Sequence, residues 1–459
     1  MYQLDFKHPI HIYFMGIGGI SMSGLAEVLL EKGFTVSGSD VKASPLTRLL
    51  EEKGCTIYYG QKYENIKSNI DLMVYTSAIH PDNPEFIATR EMQIPSLSRA
   101  QLLGQMMKNY KLPVAVSGTH GKTTTTSMIS EILLAAQTDP TLSIGGILKS
   151  IGGNIRVGHG DLFVTEACEY TNSFLSFFPK IGIILNVEED HLDFFKDIHA
   201  IRDSFHKFAA LLPSDGTLII NGEIPEIQTI LSGLSCKVIT YGSSSAFDYW
   251  PEEITYNETG CASFTIAVKN GEKRRISLGV AGEHNIYNAL SAIALSDLLS
   301  IDFSAVSSAL LHFNGTQRRF EYKGTVNDAV IIDDYAHHPT EITATLNTAV
   351  NYPHKDLWCV FQPHTYSRTK AFMKDFAKAL SLADHIVLAD IYPARETDDL
   401  GISSATLQKE IEALGKKCSY FPSFAEIENF LLKNLSPGDL LITMGAGDVV
   451  NIGENLLRN

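Results

Sequence analysis

Short apolar runs alternate with stretches of helical periodicity in the first part of the chain. His11–Met15 is a compact apolar run, Gly16–Gly19 predicts a turn, and Met22–Leu30 carries apolar residues at helical spacing. Two further runs, Phe34–Ser37 and Asp71–Tyr75, end in polar residues. Strands that alternate with helices, with polar residues where the strands end, predict a doubly wound, Rossmann-like domain.

The same alternation continues through the rest of the chain. Val114–Ser117 and Ile181–Asn186 predict strands of a central domain, and Lys111–Pro113 predicts the linker that leads into it. Four later apolar runs predict strands of a second Rossmann-like domain: Ala329–Ile332, Trp358–Phe361, Ile386–Ala389 and Leu440–Thr443. A chain of 459 residues also suggests about three domains. We therefore expect an α/β protein with domains at residues 1–111, 112–320 and 321–459.

Composition narrows the classes of protein to which the chain can belong. Hydrophobic residues make up 44% of the sequence, and no segment has the roughly 18 apolar residues of a membrane helix. The N-terminus is too polar for a signal peptide. A net charge of −15 argues against general nucleic-acid binding. The six cysteines form no C-x-x-C pair, so we expect reduced thiols in a cytoplasmic protein.

The segment Val114–Thr126, VAVSGTHGKTTTT, carries the clearest chemical signal. Backbone N–H groups of a glycine-flanked turn and of the helix that follows it bind phosphate oxygens. Lys122 adds a cation for the outer phosphates, and Thr123 or Thr124 offers a hydroxyl to Mg²⁺. The common phosphate loop has a glycine where Val116 stands, so this loop is a shorter variant. The segment predicts a central domain of the P-loop ATPase type that binds a nucleoside triphosphate.

Two acidic clusters follow strand-like runs downstream of this loop. Glu166 comes after the run Phe163–Thr165, and His191 lies in the acidic segment after Ile181–Asn186. Mg²⁺ prefers oxygen ligands and needs only one or two carboxylates beside the phosphates. Glu166 and His191 could therefore complete a magnesium site begun by Thr123. Histidine is an unusual ligand for Mg²⁺, which makes it informative only in this combination.

The glycine-rich turn Gly16–Gly24 allows more than one interpretation. It places glycines where a phosphate could approach a helix N-terminus, and Asp40 stands where an acidic residue often contacts a ribose hydroxyl. Ser21 replaces the third glycine of the G-x-G-x-x-G pattern. A nucleotide diphosphate carried by a substrate therefore suits the turn better than a nicotinamide cofactor. A tight turn without a ligand is a further alternative.

Three polar segments offer charged groups in the last third of the chain. Arg318 and Arg319 are paired, and one guanidinium could contact a γ-phosphate when domains close. The histidines of the segment Asp334–Pro339 are adjacent and point in different directions, so a substrate or nucleotide contact suits them better than a metal. Arg368 offers a cation for a carboxylate.

Together these segments resemble the Mur ligase family, the ATP-dependent amino-acid ligases of peptidoglycan precursor synthesis. The resemblance covers essentially the whole chain and rests on SGTHGKTTTT, EACEYTNSFL, NVEEDHLDFF, GEHNIYNALSA, QRRFE and DDYAHHPTEI. The segments GIGGISMSG, TSAI, FQPHTYSRT and MGAGDV are most similar to the branch that adds L-alanine to UDP-N-acetylmuramate. The resemblance implies ligation through an acyl phosphate, with ATP and Mg²⁺. The alternatives are a family member that adds another acceptor such as a recycled cell-wall peptide, a nicotinamide-dependent oxidoreductase, and a regulatory nucleotide-binding protein.

The resemblance also implies roles for the residues that match the family motifs. Catalytic roles would belong to Lys122, Glu166, His191 and Arg319. The UDP substrate would contact Gly18, Gly19, Asp40, Ser77 and, at the muramyl sugar, Asn154, while Arg368 would bind the amino acid. ATP would be held by Gly118, Thr119, Gly121, Lys122, Thr123, Thr124, Asn288, Arg319, Asp334, His337 and His338. Thr123, Glu166 and His191 would hold Mg²⁺.

The chain departs from the family pattern at one position and lacks a feature of the sister ligases. The family usually reads FQPHRYSRT, and Thr365 replaces the first arginine here. Either Arg368 alone would then bind the amino-acid carboxylate, or the preferred acceptor would differ from that of the family. Sister ligases use a carbamylated lysine, a role that the resemblance does not transfer to Lys207. The base that deprotonates the amine would be His191 or a histidine of the C-terminal domain.

Overall fold

The computed structural model describes residues 2–76, 79–192, 194–269, 271–394, 396–397 and 400–458. Their contacts divide the chain into two compact units, residues 1–187 with 199–239 and residues 188–198 with 240–459. The segment 188–198 thus belongs with the C-terminal unit, although it follows a strand of the first unit. Among the described helices, none is both long and apolar enough to cross a bilayer.

The first unit begins with strands and helices that alternate, as predicted. They are β1 (His11–Met15), α1 (Ile20–Glu31), β2 (Thr35–Asp40), α2 (Pro45–Glu52), β3 (Thr56–Tyr59), β4 (Leu72–Tyr75), α3 (Pro84–Glu91), β5 (Ser96–Ser98) and α4 (Arg99–Met107). The strands form a parallel sheet in the order β3-β2-β1-β4-β5. The order reverses between β1 and β4, and ligands of such sheets bind outside the carboxyl ends of the strands at this point.

The first unit continues with a second sheet that carries the predicted phosphate loop. Its elements are β6 (Leu112–Ser117), α5 (Lys122–Ala135), β7 (Thr141–Leu148), β8 (Gly153–Arg156), β9 (Leu162–Ala167), β10 (Ile181–Ile184), α6 (Ile198–Ala209), β11 (Thr217–Asn221) and α7 (Gln228–Leu231). The strand order is β11-β10-β6-β9-β7-β8, and only β8 runs antiparallel to its neighbour. Strand β6 lies between β10 and β9 and is buried from its second residue onward, as is typical of a central strand of a parallel sheet.

The prediction of a linker at Lys111–Pro113 is wrong for its last two residues. Leu112 and Pro113 are the first residues of β6, where they pair with Leu162 and Phe163 of β9. Proline near the beginning of a strand is compatible with the sheet, because few ladder hydrogen bonds are lost there.

The second unit contains an antiparallel meander that the apolar runs did not predict. Strand β12 (Lys237–Tyr241) contains the boundary between the units and is followed by β13 (Tyr249–Tyr256), β14 (Cys261–Val268), β15 (Arg274–Ala281), α8 (His284–Leu298) and α9 (Phe303–His312). Strand β14 pairs antiparallel with both β13 and β15. Exposed polar residues interrupt the apolar pattern of these strands, which explains why the sequence did not predict them.

The last sheet contains all four strands that the later apolar runs predicted. Its elements are β16 (Glu321–Val326), β17 (Ala329–Asp334), α10 (Pro339–Val350), β18 (Leu357–Phe361), α11 (Tyr366–Ala371), α12 (Met373–Leu380), β19 (His385–Leu388), α13 (Ser404–Ala413), β20 (Cys418–Tyr420), α14 (Phe424–Asn434), β21 (Leu440–Met444) and α15 (Val450–Arg458). The order is β16-β17-β21-β18-β19-β20, and only β16 is antiparallel. Successive residues such as Ile331 and Ile332 enter separate cores on the two faces of the sheet.

Candidate active site

The phosphate loop lies between β6 and α5, where two glycines adopt backbone angles that favour glycine. Gly118 has a φ of 147° and Gly121 has a φ of 81°. A Cβ on Gly118 would lie 2.9 Å from the Cβ of Leu185, so the position also lacks space for a side chain. Asn186 holds the loop from β10: its Oδ1 accepts the His120 N–H at 2.7 Å, and its carbonyl accepts the Thr119 N–H at 3.2 Å. The turn is therefore shaped by its glycines and anchored by Asn186.

Lys122 is the first residue of α5 and is held by oxygen atoms on several sides. Its Nζ donates to the carbonyls of Gly118 and Thr119 and lies 3.0 Å from Oε2 of Glu169. The side chain of Glu169 is only 3% exposed, so solvent screens this ion pair little. Burial lowers the pKa of Lys122, but the Glu169 carboxylate more than offsets this and raises it above its usual value. Lys122 is therefore a fixed positive charge at neutral pH.

Thr123 and Glu166 form the oxygen pair that was predicted to hold Mg²⁺. The Thr123 hydroxyl donates to Oε2 of Glu166 at 3.1 Å, and the Gly145 N–H donates to Oε1 of the same carboxylate. A Cβ on Gly145 would lie 2.5 Å from Oε2, so only glycine leaves room for Glu166 there. A hydroxyl next to a carboxylate fits Mg²⁺, which prefers oxygen ligands. Thr124 follows on the same helical turn and is half-buried.

His191 lies in the second unit, in a segment with an unusual backbone. It has a φ of 53°, and its N–H donates to Oδ1 of Asp190 at 2.7 Å. The same carboxylate pairs with Nη2 of Arg368 at 2.9 Å, and both side chains are nearly buried. Burial raises the pKa of Asp190, but Arg368, His191 and His338 outweigh it and hold that pKa well below its usual range. Arg368, predicted to bind the amino acid, thus already has a buried protein counterion.

The arginine pair before the last sheet divides into two different environments. Arg318 pairs with Asp333 at 3.0 Å and donates to the carbonyls of Gly445 and Gly447, so it connects strands of the sheet. Arg319 lies over the ring of Tyr335 and is 3.8 Å from Glu341, and its side chain is 28% exposed. The two side chains are similarly exposed, at 22% for Arg318 and 28% for Arg319, but the Arg318 guanidinium makes three hydrogen bonds to Asp333, Gly445 and Gly447.

Asp334 is buried and bonded to backbone groups on both sides. Its Oδ2 accepts the Phe320 N–H at 2.7 Å and its Oδ1 accepts the Ala336 N–H at 2.8 Å. Burial raises the pKa of Asp334 to about 6. The carboxylate therefore holds the backbone next to Arg319, in addition to any contact with a nucleotide.

The paired histidines have separate surroundings, in agreement with the expectation that they point in different directions. The His337 ring contacts Tyr335 and His364, and its Nδ1 lies 3.0 Å from the Tyr335 carbonyl. The His338 ring lies against Phe372, with Nε2 3.1 Å from the Glu189 carbonyl. Asn288, on α8, donates to Oδ1 of Asn285 at 3.0 Å.

The residues predicted to bind the UDP substrate surround the first glycine-rich turn. Asp40 accepts the Gly18 N–H and the Val41 N–H, both at 2.8 Å, so it stabilises the turn itself. A Cβ on Gly18 would lie 2.8 Å from Oδ2 of Asp40, whereas Gly19, the residue that caps α1, has more space. Ser77 lies outside the described residues.

Asn154 lies on β8, the strand that packs against α1. Its Nδ2 is 3.5 Å from the Ile144 carbonyl, and a Cβ on Gly24 of α1 would lie 2.9 Å from the neighbouring Ile155. The structure therefore brings the residue predicted at the muramyl sugar close to the helix that follows the glycine-rich turn.

Comparison with known proteins decides the family. The Mur ligase family catalytic domain matches residues 11–111, the Mur ligase middle domain matches 116–296, and the Mur ligase glutamate ligase domain matches 318–447. A UDP-N-acetylmuramate–L-alanine ligase of Agathobacter rectalis is 59% identical over 100% of both chains. The chain belongs to the Mur ligase family. It is accordingly an ATP-dependent ligase, as the motifs predicted.

Solved structures of Mur ligases have the same fold. A UDP-N-acetylmuramate–alanine ligase of Thermotoga maritima is 29% identical, with a TM-score of 0.81 over 98% of each chain. A murein peptide ligase of Psychrobacter arcticus is 27% identical, with a TM-score of 0.73 over 98% of each chain. The predicted α/β fold with three domains, Rossmann-like, P-loop ATPase-like and again Rossmann-like, is confirmed.

Several contacts of this Mur ligase were not singled out from its sequence. Glu169 and Asp190 were visible only as members of acidic segments and Asn186 only as the last residue of a predicted strand, although each contacts a predicted site residue. The sequence signal that could have singled them out was their position at or just after the ends of predicted strands. Which of the neighbouring acidic residues contacts a cation depends on the strands that pair beside it, and this is a tertiary property.

Proposed function

We infer that this Mur ligase joins L-alanine to the lactyl carboxylate of UDP-N-acetylmuramate, with ATP converted to ADP and phosphate, in peptidoglycan precursor synthesis. The observation that carries this conclusion is the 59% identity, over the whole chain, to a ligase of that name. The solved structures of an alanine ligase and of a murein peptide ligase are 29% and 27% identical, so they distinguish the two acceptors less sharply than this relative does.

The phosphate loop supports the assignment of the ATP site to the central domain. We propose that the loop residues Gly118, Thr119, Gly121, Lys122, Thr123 and Thr124 bind the phosphates, and that Thr123, Glu166 and His191 hold Mg²⁺. Bound Mg²⁺ would neutralise charge on the transferred phosphoryl group. Lys122 would add its fixed charge. From the second unit we propose Arg319 for the γ-phosphate and Asn288, Asp334, His337 and His338 for the nucleotide.

The reaction would proceed in two steps. A lactyl carboxylate oxygen attacks the γ-phosphorus, and the bond to ADP breaks to leave an acyl phosphate. The alanine amine then attacks the acyl carbon, phosphate leaves, and the amine proton passes to a base. His191 or a C-terminal histidine is the proposed base, and His191 would serve only while its lone pair is not bound to Mg²⁺, because a neutral imidazole has one such lone pair. Burial, with neighbouring positive groups, lowers the pKa values of His284 and His364 to about 4, so these two are weak bases and suit the role less well.

The remaining assignments follow the same resemblance. We propose that Gly18, Gly19, Asp40 and Ser77 contact the UDP part, that Asn154 faces the muramyl sugar, and that Arg368 contacts the alanine carboxylate. Domain boundaries at 111/112 and 320/321 and a cytoplasmic location, where ATP and nucleotide sugars are available, belong to the same proposal.

The acceptor can be tested by phosphate release from ATP in the presence of UDP-N-acetylmuramate. L-alanine, glycine, L-serine and a cell-wall tripeptide would be compared as acceptors, with Mg²⁺ present throughout. We expect the highest kcat/KM for L-alanine. A higher kcat/KM for the tripeptide would assign the chain to the peptide-adding branch, and no release with any acceptor would overturn the ligase reaction.

A further inference from the structure

Arg99 is a cation in the N-terminal domain to which the proposed reaction assigns no role. It is the first residue of α4 and follows β5 at the carboxyl edge of the N-terminal sheet. Its Nη1 donates to the hydroxyl of Ser21 at 2.9 Å, and Ser21 lies in the first turn of α1, after β1. The side chain therefore reaches from one side of the β1/β4 switch point to the other, where ligands of such sheets bind.

No residue that the structure describes provides a counterion for Arg99. In the described part of the chain its polar partner is the neutral Ser21 hydroxyl, and it forms no ion pair. Burial lowers the pKa of Arg99, because a buried guanidinium loses its hydration. A half-buried guanidinium without an anion is unfavourable, so a ligand that supplies one would be stabilised there.

The surroundings of Arg99 add positive potential. Helices α1 and α4 both begin next to the Arg99–Ser21 contact, and neither has an acidic residue in its first turn. The partial positive charges of both helix N-termini therefore add to that of the guanidinium. The carboxylate of Asp40 is already bonded to the Gly18 and Val41 N–H groups.

We propose that Arg99 binds the diphosphate of the nucleotide-sugar substrate, together with the Ser21 hydroxyl and the first-turn N–H groups of α1. The proposal rests on the proposed function, which supplies this substrate. A planar guanidinium has several donors and suits two adjacent phosphates. The lactyl carboxylate of the same substrate is the alternative anion, and UDP, which lacks it, distinguishes the two.

The test measures binding of uridine, UDP and UDP-N-acetylmuramate to the full chain by calorimetry. For Arg99→Met we expect the Kd values of UDP and UDP-N-acetylmuramate to rise by about tenfold to a hundredfold, as for the loss of a charge-assisted contact, with no change for uridine. Arg99→Lys should lie between this variant and the wild type. Arg90→Met removes an exposed arginine of the same domain and serves as the charge-matched control, with unchanged Kd values.

Three results would overturn the proposal. The first is an unchanged Kd for UDP. The second is an equal loss for uridine, which would show a structural role, and the third is a loss confined to UDP-N-acetylmuramate, which would assign Arg99 to the lactyl carboxylate. If Arg99→Met does not fold, Ser21→Ala tests the same site, with an expected loss of about threefold for UDP and none for uridine. A wild-type chain that binds neither UDP nor UDP-N-acetylmuramate would instead overturn the proposed function.

Discussion

The phosphate loop and the polar strand ends of the last sheet are built in different ways. In the loop, the residues from Gly118 to Thr123 are contiguous, and backbone geometry does most of the positioning. In the second unit, cations and anions from distant segments pair with one another, as Asp190 does with Arg368. Contiguous sites leave a motif in the sequence. Assembled sites leave separate charged residues whose partners are decided by folding.

The largest effect should come from the contiguous site. Lys122→Ala removes the fixed charge at the phosphates, so kcat/KM for phosphate release should fall about a thousandfold or more. UDP binding, measured by calorimetry, should not change. Lys111→Ala, which removes an exposed lysine that pairs with Asp161, is the control and should retain wild-type activity. Lys122→Ala turnover within tenfold of the wild type would contradict the scheme.

A second test addresses the oxygen pair beside the loop. Glu166→Gln preserves the shape of the side chain and an oxygen that can accept the Gly145 N–H, but removes the charge proposed for Mg²⁺. We expect kcat to fall by about a hundredfold and half-saturation with Mg²⁺ to require a higher concentration. Titration of activity with Mg²⁺ measures both. A variant with lower kcat but unchanged Mg²⁺ dependence would argue against Glu166 as a ligand.

Substitution in the assembled Asp190–Arg368 pair should lower the free energy of unfolding. Asp190→Asn leaves Arg368 nearly buried without its counterion, so the free energy of unfolding should fall by about 3 kcal/mol, measured by urea denaturation. The control Asp203→Asn breaks an exposed ion pair with Lys207 and should change the free energy of unfolding by less than about 0.5 kcal/mol. Equal effects of the two substitutions would show that burial does not distinguish these pairs.

The same pair predicts a pH dependence. The pKa of Asp190 is lower in the folded than in the unfolded chain, so its stabilisation is fully present above the unfolded value near 4. It is lost as the pH falls through the lower folded value. The stability of the wild type should therefore decline below about pH 4 more steeply than that of Asp190→Asn. Parallel acid profiles would contradict the low folded pKa.

The smallest effect concerns the departure from the family pattern. Thr365 precedes α11 with a φ of 67°, and its hydroxyl accepts the Arg368 N–H at 3.4 Å. Thr365→Arg loses this cap, for about 1 kcal/mol of stability, but leaves Arg368 in place. We expect KM for L-alanine to change by less than about tenfold, since Arg368 carries the main proposed contact. A larger decrease in KM would show that the first arginine of the pattern contributes directly to alanine binding.

The N-terminal turn shows where sequence reasoning reached its limit. The position of Asp40 at the end of β2 follows from the apolar pattern, and so does a ligand crevice beside it. The pattern suggested a ribose contact for Asp40, and only the fold shows that one oxygen also accepts the Gly18 N–H of the turn and the other the N–H of the adjacent Val41. Arg99 carried no sequence signal, because its contact with Ser21 joins residues 78 positions apart.

Local order along the chain was enough to predict the alternation of strands and helices, the phosphate loop and the family. Apolar periodicity and the backbone angles of glycine act over a few residues, so they are readable without the fold. The counterion of each cation was decided only by tertiary structure. Arg318 and Arg319 are neighbours in sequence and both lie over the ring of Tyr335, yet Arg318 pairs with Asp333 inside the sheet and Arg319 with Glu341 of α10. Coulomb interactions depend on distance and burial in space, and strand pairing sets both.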